Sequence, residues 1–139
     1  MRAVAVDLGE RRIGVAVSDG TGRMAFPRPY IERRSERSED HRAIAEVIDE
    51  VGADVVVVGL PLSLDGRRGP AAAAAEEESV LLARALEGHG AAVETFDERL
   101  TTVTADAAHG AAGHNGRERR GRVDSAAATV LLQAWLDSR

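Results

Sequence analysis

Apolar positions along the chain change period several times, and each change marks an element. Residues 3–7, Ala-Val-Ala-Val-Asp, form an apolar run ending in a carboxylate and read as a short buried strand. A tight turn, Leu8-Gly9-Glu10-Arg11-Arg12, leads into a second strand over 13–18, closed by Asp19-Gly20-Thr21-Gly22. Two strands joined by a few residues with glycine predict a hairpin. A third strand over 24–31 carries Pro27 and Pro29, which cannot donate to a neighbour on both sides and so place it at a sheet edge. Residues 32–40 are polar and read as a loop. The period then becomes helical: Ile44, Val47, Ile48 and Val51 make one stripe, ended by Gly52. The β-branched run over 54–59 is continuous, as in a parallel strand covered on both faces. A Pro/Gly loop over 60–69 precedes a helix over 70–86 with proline near its first position and Glu76, Glu77 and Glu78 within it. A fifth strand over 92–97 follows, then a short helix over 101–112, a glycine- and arginine-rich loop over 111–122, and a last helix over 124–136 with Val130, Leu131, Ala134 and Trp135 inward.

The order β-β-β-α-β-α-β-α-α predicts a three-strand antiparallel meander feeding two right-handed β-α-β crossovers. The fold class is α/β: one domain over 1–139, with a mixed five-stranded sheet (three antiparallel strands, then two parallel). The first strand lies near the centre, and helices cover both faces. Ligands of such open sheets gather beyond the carboxyl ends of the parallel strands.

Composition narrows the function. The absence of cysteine excludes a disulfide scaffold and a thiolate metal site. Aromatic residues are 3% of the chain, too few for a face of base-stacking rings. No apolar run approaches the ~20 residues of a membrane span, and the first residues run straight into a strand without the pattern of an export signal. A cytoplasmic protein with no membrane contact is expected. The net charge of −5 argues against indiscriminate coating of nucleic acid. All 18 cations are arginine, however, and they cluster: Arg11 with Arg12; Arg33, Arg34 and Arg37; Arg67 with Arg68; then Arg117, Arg119, Arg120 and Arg122. Each cluster is either a solvated loop or a local basic surface.

Acids stand at element ends that this topology can join: Asp7 after the first strand, Asp97 and Glu98 after the fifth, Asp124 opening the last helix. Each has an ordinary explanation as a turn former, a solvated group or an N-cap. Asp7 has it least, because a carboxylate at the centre of a sheet needs a partner or a cation. Carboxylates converging on one rim repel, and Mg2+ or Mn2+ relieves that repulsion with oxygen ligands. Two such ions, one activating water and the other stabilising the leaving 3′ oxygen, would hydrolyse a phosphodiester. His41, His89, His109 and His114 are scattered over helix ends and loops and read as surface residues, with His114 the one candidate proton shuttle. The Asp7-Leu8-Gly9 turn also suits a nucleotide phosphate, but the chain has room for only one of the two domains that actin-like ATPases close on ATP.

Asp7-Leu8-Gly9 with residues 12–19, Gly59-Leu60-Pro61, Asp65-Gly66, Gly69-Pro70, Asp97-Glu98-Arg99-Leu100-Thr101-Thr102 and Val123-Asp124-Ser125-Ala126-Ala127 resemble, in order, the blocks of the YqgF/RuvX family. The Asp-Glu-Arg-Leu-Thr-Thr block is the most specific. The resemblance implies an RNase H-like fold and a nuclease that matures the 5′ end of pre-16S ribosomal RNA or resolves Holliday junctions. It implies structured RNA or branched DNA as substrate, with ribosomal particles as a partner. It further implies that Asp7, Glu98 and Asp124 hold the metals and that Arg99 orients the Glu98 region or a phosphate. The arginine loop before Asp124 would track the substrate backbone, and Arg11 and Arg12 stand beside the same turn as Asp7. A catalytically silent RNA-binding module is the alternative from another class.

Overall fold

The computed structural model describes residues 1–62, 65–101 and 125–139, with the backbone alone at 100 and 101. Its elements are β1 (Ala3–Leu8), β2 (Arg12–Ser18), β3 (Ala25–Glu32), α1 (Arg37–Val51), β4 (Val55–Leu60), α2 (Pro70–Ala85), β5 (Ala92–Asp97), a 3-10 turn (Glu98–Thr101) and α3 (Ala126–Asp137). The strands form one sheet in the order β3-β2-β1-β4-β5. β1 pairs antiparallel with β2 and parallel with β4; β2–β3 is antiparallel and β4–β5 parallel. The mixed sheet with its first strand in the middle is as expected, and Pro27 and Pro29 lie on the edge strand β3.

Strand alternation divides the core into two layers. Val4, Val6, Val56 and Val58 face α1 and α2 and pack on Ile44, Ile48, Leu82 and Leu86. Ala3, Ala5, Ala16, Val55 and Val57 face the other way and meet Leu131, Leu132, Trp135 and Leu136 of α3. The alanines on this second face make room for the bulky α3 residues. Each buried Val or Leu side chain contributes ~1.5–3 kcal/mol. Val55 to Val58 are buried throughout, which is why β4 reads as an unbroken apolar run.

Several boundaries differ from the sequence expectation. α1 begins at Arg37, inside the stretch read as loop, because Asp40 and His41 are buried and extend the helix back by a turn. Gly52 ends α1 in the left-handed conformation, φ 67°, as its position implied. In α3, Ala134 is half-buried, while Leu132 and Leu136 join the buried set. Among the described residues no helix is long and apolar enough to cross a membrane. The expected helix over 101–112 and the arginine loop lie outside the described residues, apart from the backbone at 101.

Candidate active site

The parallel strands β1, β4 and β5 end on one rim of the sheet. Asp7 is the penultimate residue of β1, paired with Gly14 of β2. Alternation from Ala3 and Ala5 turns its side chain toward the α3 face, where it is half-buried. Glu98 follows β5 directly and opens the 3-10 turn. Between them lies the end of β4, and there the side chain is missing: a Cβ on Gly59 would stand 2.9 Å from Cγ of Glu98. The bare glycine lets Glu98 lie across β4 and reach Asp7.

The two carboxyls are hydrogen-bonded to each other. Such a bond needs one proton, which the two carboxyls share. Burial, the charge of Asp7, the bond to it and the nearby Asp97 push Glu98 up to about 7. Burial also raises Asp7, against the lowering effect of its bond to Glu98. Asp97 behaves oppositely. Arg99 donates to it from its backbone N–H at 2.9 Å and from Nε at 2.8 Å, which holds the Asp97 carboxyl below its usual range. Of the two adjacent acids, one is therefore taken up by arginine and the other turned to Asp7.

Asp124, Arg117, Arg119, Arg120, Arg122, His109 and His114 lie outside the described residues. Ser125, next in sequence to Asp124, is fully buried. Its hydroxyl accepts from the backbone N–H of Val15 at 3.2 Å and donates to the Arg28 carbonyl at 2.5 Å. Val15 pairs with Val6, the residue before Asp7. Among the described residues no group of three metal-ligating side chains occurs. The donor chemistry of the pair nonetheless suits a hard divalent ion, since two oxygen donors held together at the cost of a retained proton are what such an ion relieves.

The other candidate cations are placed differently. Arg11 is exposed on the β1–β2 turn, and Arg12 stacks over the Tyr30 ring at 4.9 Å. Arg99 is occupied with Asp97. Arg33, of the cluster left open between solvated loop and local basic surface, is largely buried: it grips Glu78 with two bonds of 2.7 and 2.8 Å, Asp40 at 3.1 Å and the Gly9 carbonyl at 3.0 Å. His41 is buried at 4% exposure rather than on the surface, with Nε2 2.9 Å from Glu78. His89 is exposed and pairs with Asp49. The buried network ties the turn behind Asp7 to both α1 and α2. It was legible in principle, because Asp40, His41 and Glu78 fall on the inward stripes that continue through Ile44, Ala45 and Ile48 and through Ala75, Ser79 and Leu82.

The sequence matches the RuvX family, described as Holliday junction resolvase, over residues 1–138. The chain belongs to the RuvX family. Proteins of Anaeromyxobacter sp. (strain K) and Rhodococcus jostii (strain RHA1), both named "Putative pre-16S rRNA nuclease", are 47% and 43% identical to it. The alignments cover 100% of this chain and 98% of the first relative, and 99% of this chain and 78% of the second. Among solved structures, Thermus thermophilus RuvC in complex with a Holliday junction substrate superposes with a TM-score of 0.65 at 14% identity, over 100% of this chain and 95% of that one. A second T. thermophilus RuvC structure gives 0.61 at 17% identity, over 100% and 96%. At these identities the likeness concerns the fold, which is RNase H-like. The RuvX chain is thus a member of a nuclease family, with an acid pair at the rim where its parallel strands end.

Proposed function

We propose that this RuvX chain is a divalent-metal-dependent nuclease that cuts structured RNA in the 5′-end maturation of pre-16S ribosomal RNA. The observation that carries the reading is the Asp7–Glu98 carboxyl pair, joined across Gly59 at the rim. Asp7, Glu98 and Asp124 would hold a pair of Mg2+ or Mn2+ ions. The anchoring of Ser125 beside the β1–β2 pair supports the third acid. The names of the curated relatives support RNA over DNA.

Bound divalent ions supply water activation and charge stabilisation of the leaving 3′ oxygen. The chain's own residues do the rest. Glu98 gives up the proton it shares with Asp7, so that both carboxylates can face the cations. Arg99 keeps Asp97 out of the pair, leaving one oriented donor from this turn. Arg33 fixes the β1–β2 turn through the Gly9 carbonyl and limits the freedom of Asp7. Arg11, Arg12, Arg117, Arg119, Arg120 and Arg122 are assigned to the substrate backbone. Arginine suits that task because its planar fork binds phosphate through two bonds.

The test mixes purified protein with Mn2+ and a ribosomal precursor, with a four-way junction in parallel, and maps product ends. Cleavage of the precursor, lost in Asp7→Asn while the circular dichroism spectrum is kept, is the expected result. Equal cutting by Asp7→Asn, or full activity in excess chelator, refutes the site. Junction resolution is the second reading, favoured by the family's description. It requires two symmetric nicks and therefore a two-fold dimer. Paired nicks in the junction with an intact precursor would establish it. Binding without any product would instead favour the silent module.

A further inference from the structure

A groove of about 700 Å³ opens on the far side of the β1–β2 turn from the acid pair. Leu8, Gly9 and Pro61 form its rim-side wall, and the first turns of α1 and α2 form the others. Three acids touch it, but Asp40 and Glu78 are buried and bound to Arg33, leaving Glu10 as the exposed one. Its exposed cations are Arg34 and Arg37. Most other arginines near the rim have partners: Arg33 with Glu78, Arg67 with Asp65, Arg68 with Glu76, Arg99 with Asp97, and Arg12 over Tyr30. Among the described residues, the guanidinium groups of Arg34 and Arg37 make no ion pair.

We propose that this groove seats the phosphodiester backbone of the nucleic acid flanking the cut, with Arg34 and Arg37 as its phosphate contacts. The inference rests on the nuclease reading and extends it. The β1–β2 turn separates the two places: Asp7 faces α3, while Leu8, one residue on, packs toward α1 and α2 and lines the groove. A strand crossing the rim over Gly9 and Glu10 meets the acids on one side and the arginines on the other. Two guanidinium groups at the mouth of a groove attract a polyanion at close range: Arg34 and Arg37 are exposed, whereas two of the three acids that balance the groove's three arginines, Asp40 and Glu78, are buried beneath them.

The experiment measures binding of a fluorescent RNA hairpin with a single-stranded 5′ flank, in Ca2+, over a range of salt. The Arg34→Gln/Arg37→Gln variant is expected to raise Kd by about tenfold near 0.1 M salt. It should flatten the slope of log K on log salt by about 1.4 for single-stranded contacts or 1.8 for duplex ones. Arg34→Lys/Arg37→Lys keeps the charge and should keep the slope. Arg23→Gln/Arg84→Gln removes the same charge at the opposite rim and should leave the slope unchanged. A groove variant indistinguishable from this opposite-rim control overturns the proposal, as does wild-type protein that does not bind the hairpin. Wild-type protein that binds but leaves RNA uncut in Mn2+ ends the RNA-nuclease reading, and the groove is then judged on the slopes alone.

Discussion

At the scale of single residues the site depends on a side chain that is not there. Gly59 interrupts a β-branched strand at the one place where Glu98 must cross it. An isolated glycine in a strand is a sign of such close approach, and the sequence carried that sign. Which acid crosses follows from alternation along β5, which sets Phe96 on the α3 face and Asp97 on the face of Val93, with Arg99 bound to Asp97. Gly59→Ala should push Glu98 off Asp7 and lower cleavage by about 10- to 100-fold, the order that a displacement near 1 Å produces. The fold should survive, because alanine is tolerated in a strand. An unchanged rate would show that the crossing is irrelevant. The shared proton has a measurable consequence for stability. Between the ordinary glutamate value of 4.5 and about 7, the folded chain holds a proton that the unfolded chain releases. Stability of the metal-free protein therefore falls as pH rises through that window and levels off above it. Glu98→Gln removes the titration and should flatten the dependence. Urea midpoints from pH 5 to 8 in chelator, compared between the two proteins, test this.

At the scale of elements, the buried network does what a cap or a loop contact would otherwise do. β3 ends at Glu32, and Arg33 immediately enters the interior, bridging α1 through Asp40 and α2 through Glu78 while holding the β1–β2 turn. Burial alone would raise Glu78, but the bonds from Arg33 and His41 outweigh it and hold the carboxyl below its usual range. Glu78→Ala leaves Arg33 its charge partner Asp40 but removes two bonds to Arg33 and the partner of the buried His41, so it should cost ~1–3 kcal/mol. A denaturant midpoint near wild type would refute that estimate. This network also explains where the sequence reading failed. Apolar periodicity found the strands and the helices because it follows burial. Asp40, His41 and Glu78 are buried too, but as a mutually satisfied polar cluster that a hydrophobic pattern does not register. The same blindness placed the start of α1 too late and put His41 on the surface.

At the scale of the whole molecule, the order β3-β2-β1-β4-β5 brings residues 7 and 98 to one rim although 91 positions separate them along the chain. The topology was legible because parallel strands joined by helices admit few arrangements, and all of them align the carboxyl ends. The register was not, because a run of four valines in β4 pairs equally well one step to either side. Placing these acids together costs the fold free energy when no cation is present, and a bound cation should return it. Mn2+ should accordingly raise the thermal midpoint of the wild-type protein by mass action, with a gain of ~2.7 kcal/mol at a hundredfold excess over Kd. The gain should be larger at pH 8 than at pH 5, since protons on Glu98 and Asp7 compete with the metal. Asp7→Asn should lose most of it. The metal-free variant, relieved of one buried charge, should melt no lower than wild type at pH 8. Scanning calorimetry of both proteins at the two pH values, with and without Mn2+, separates the outcomes. An equal Mn2+ shift in Asp7→Asn would place the ion elsewhere, and no shift in either protein would leave the acid pair without the ligand its chemistry calls for.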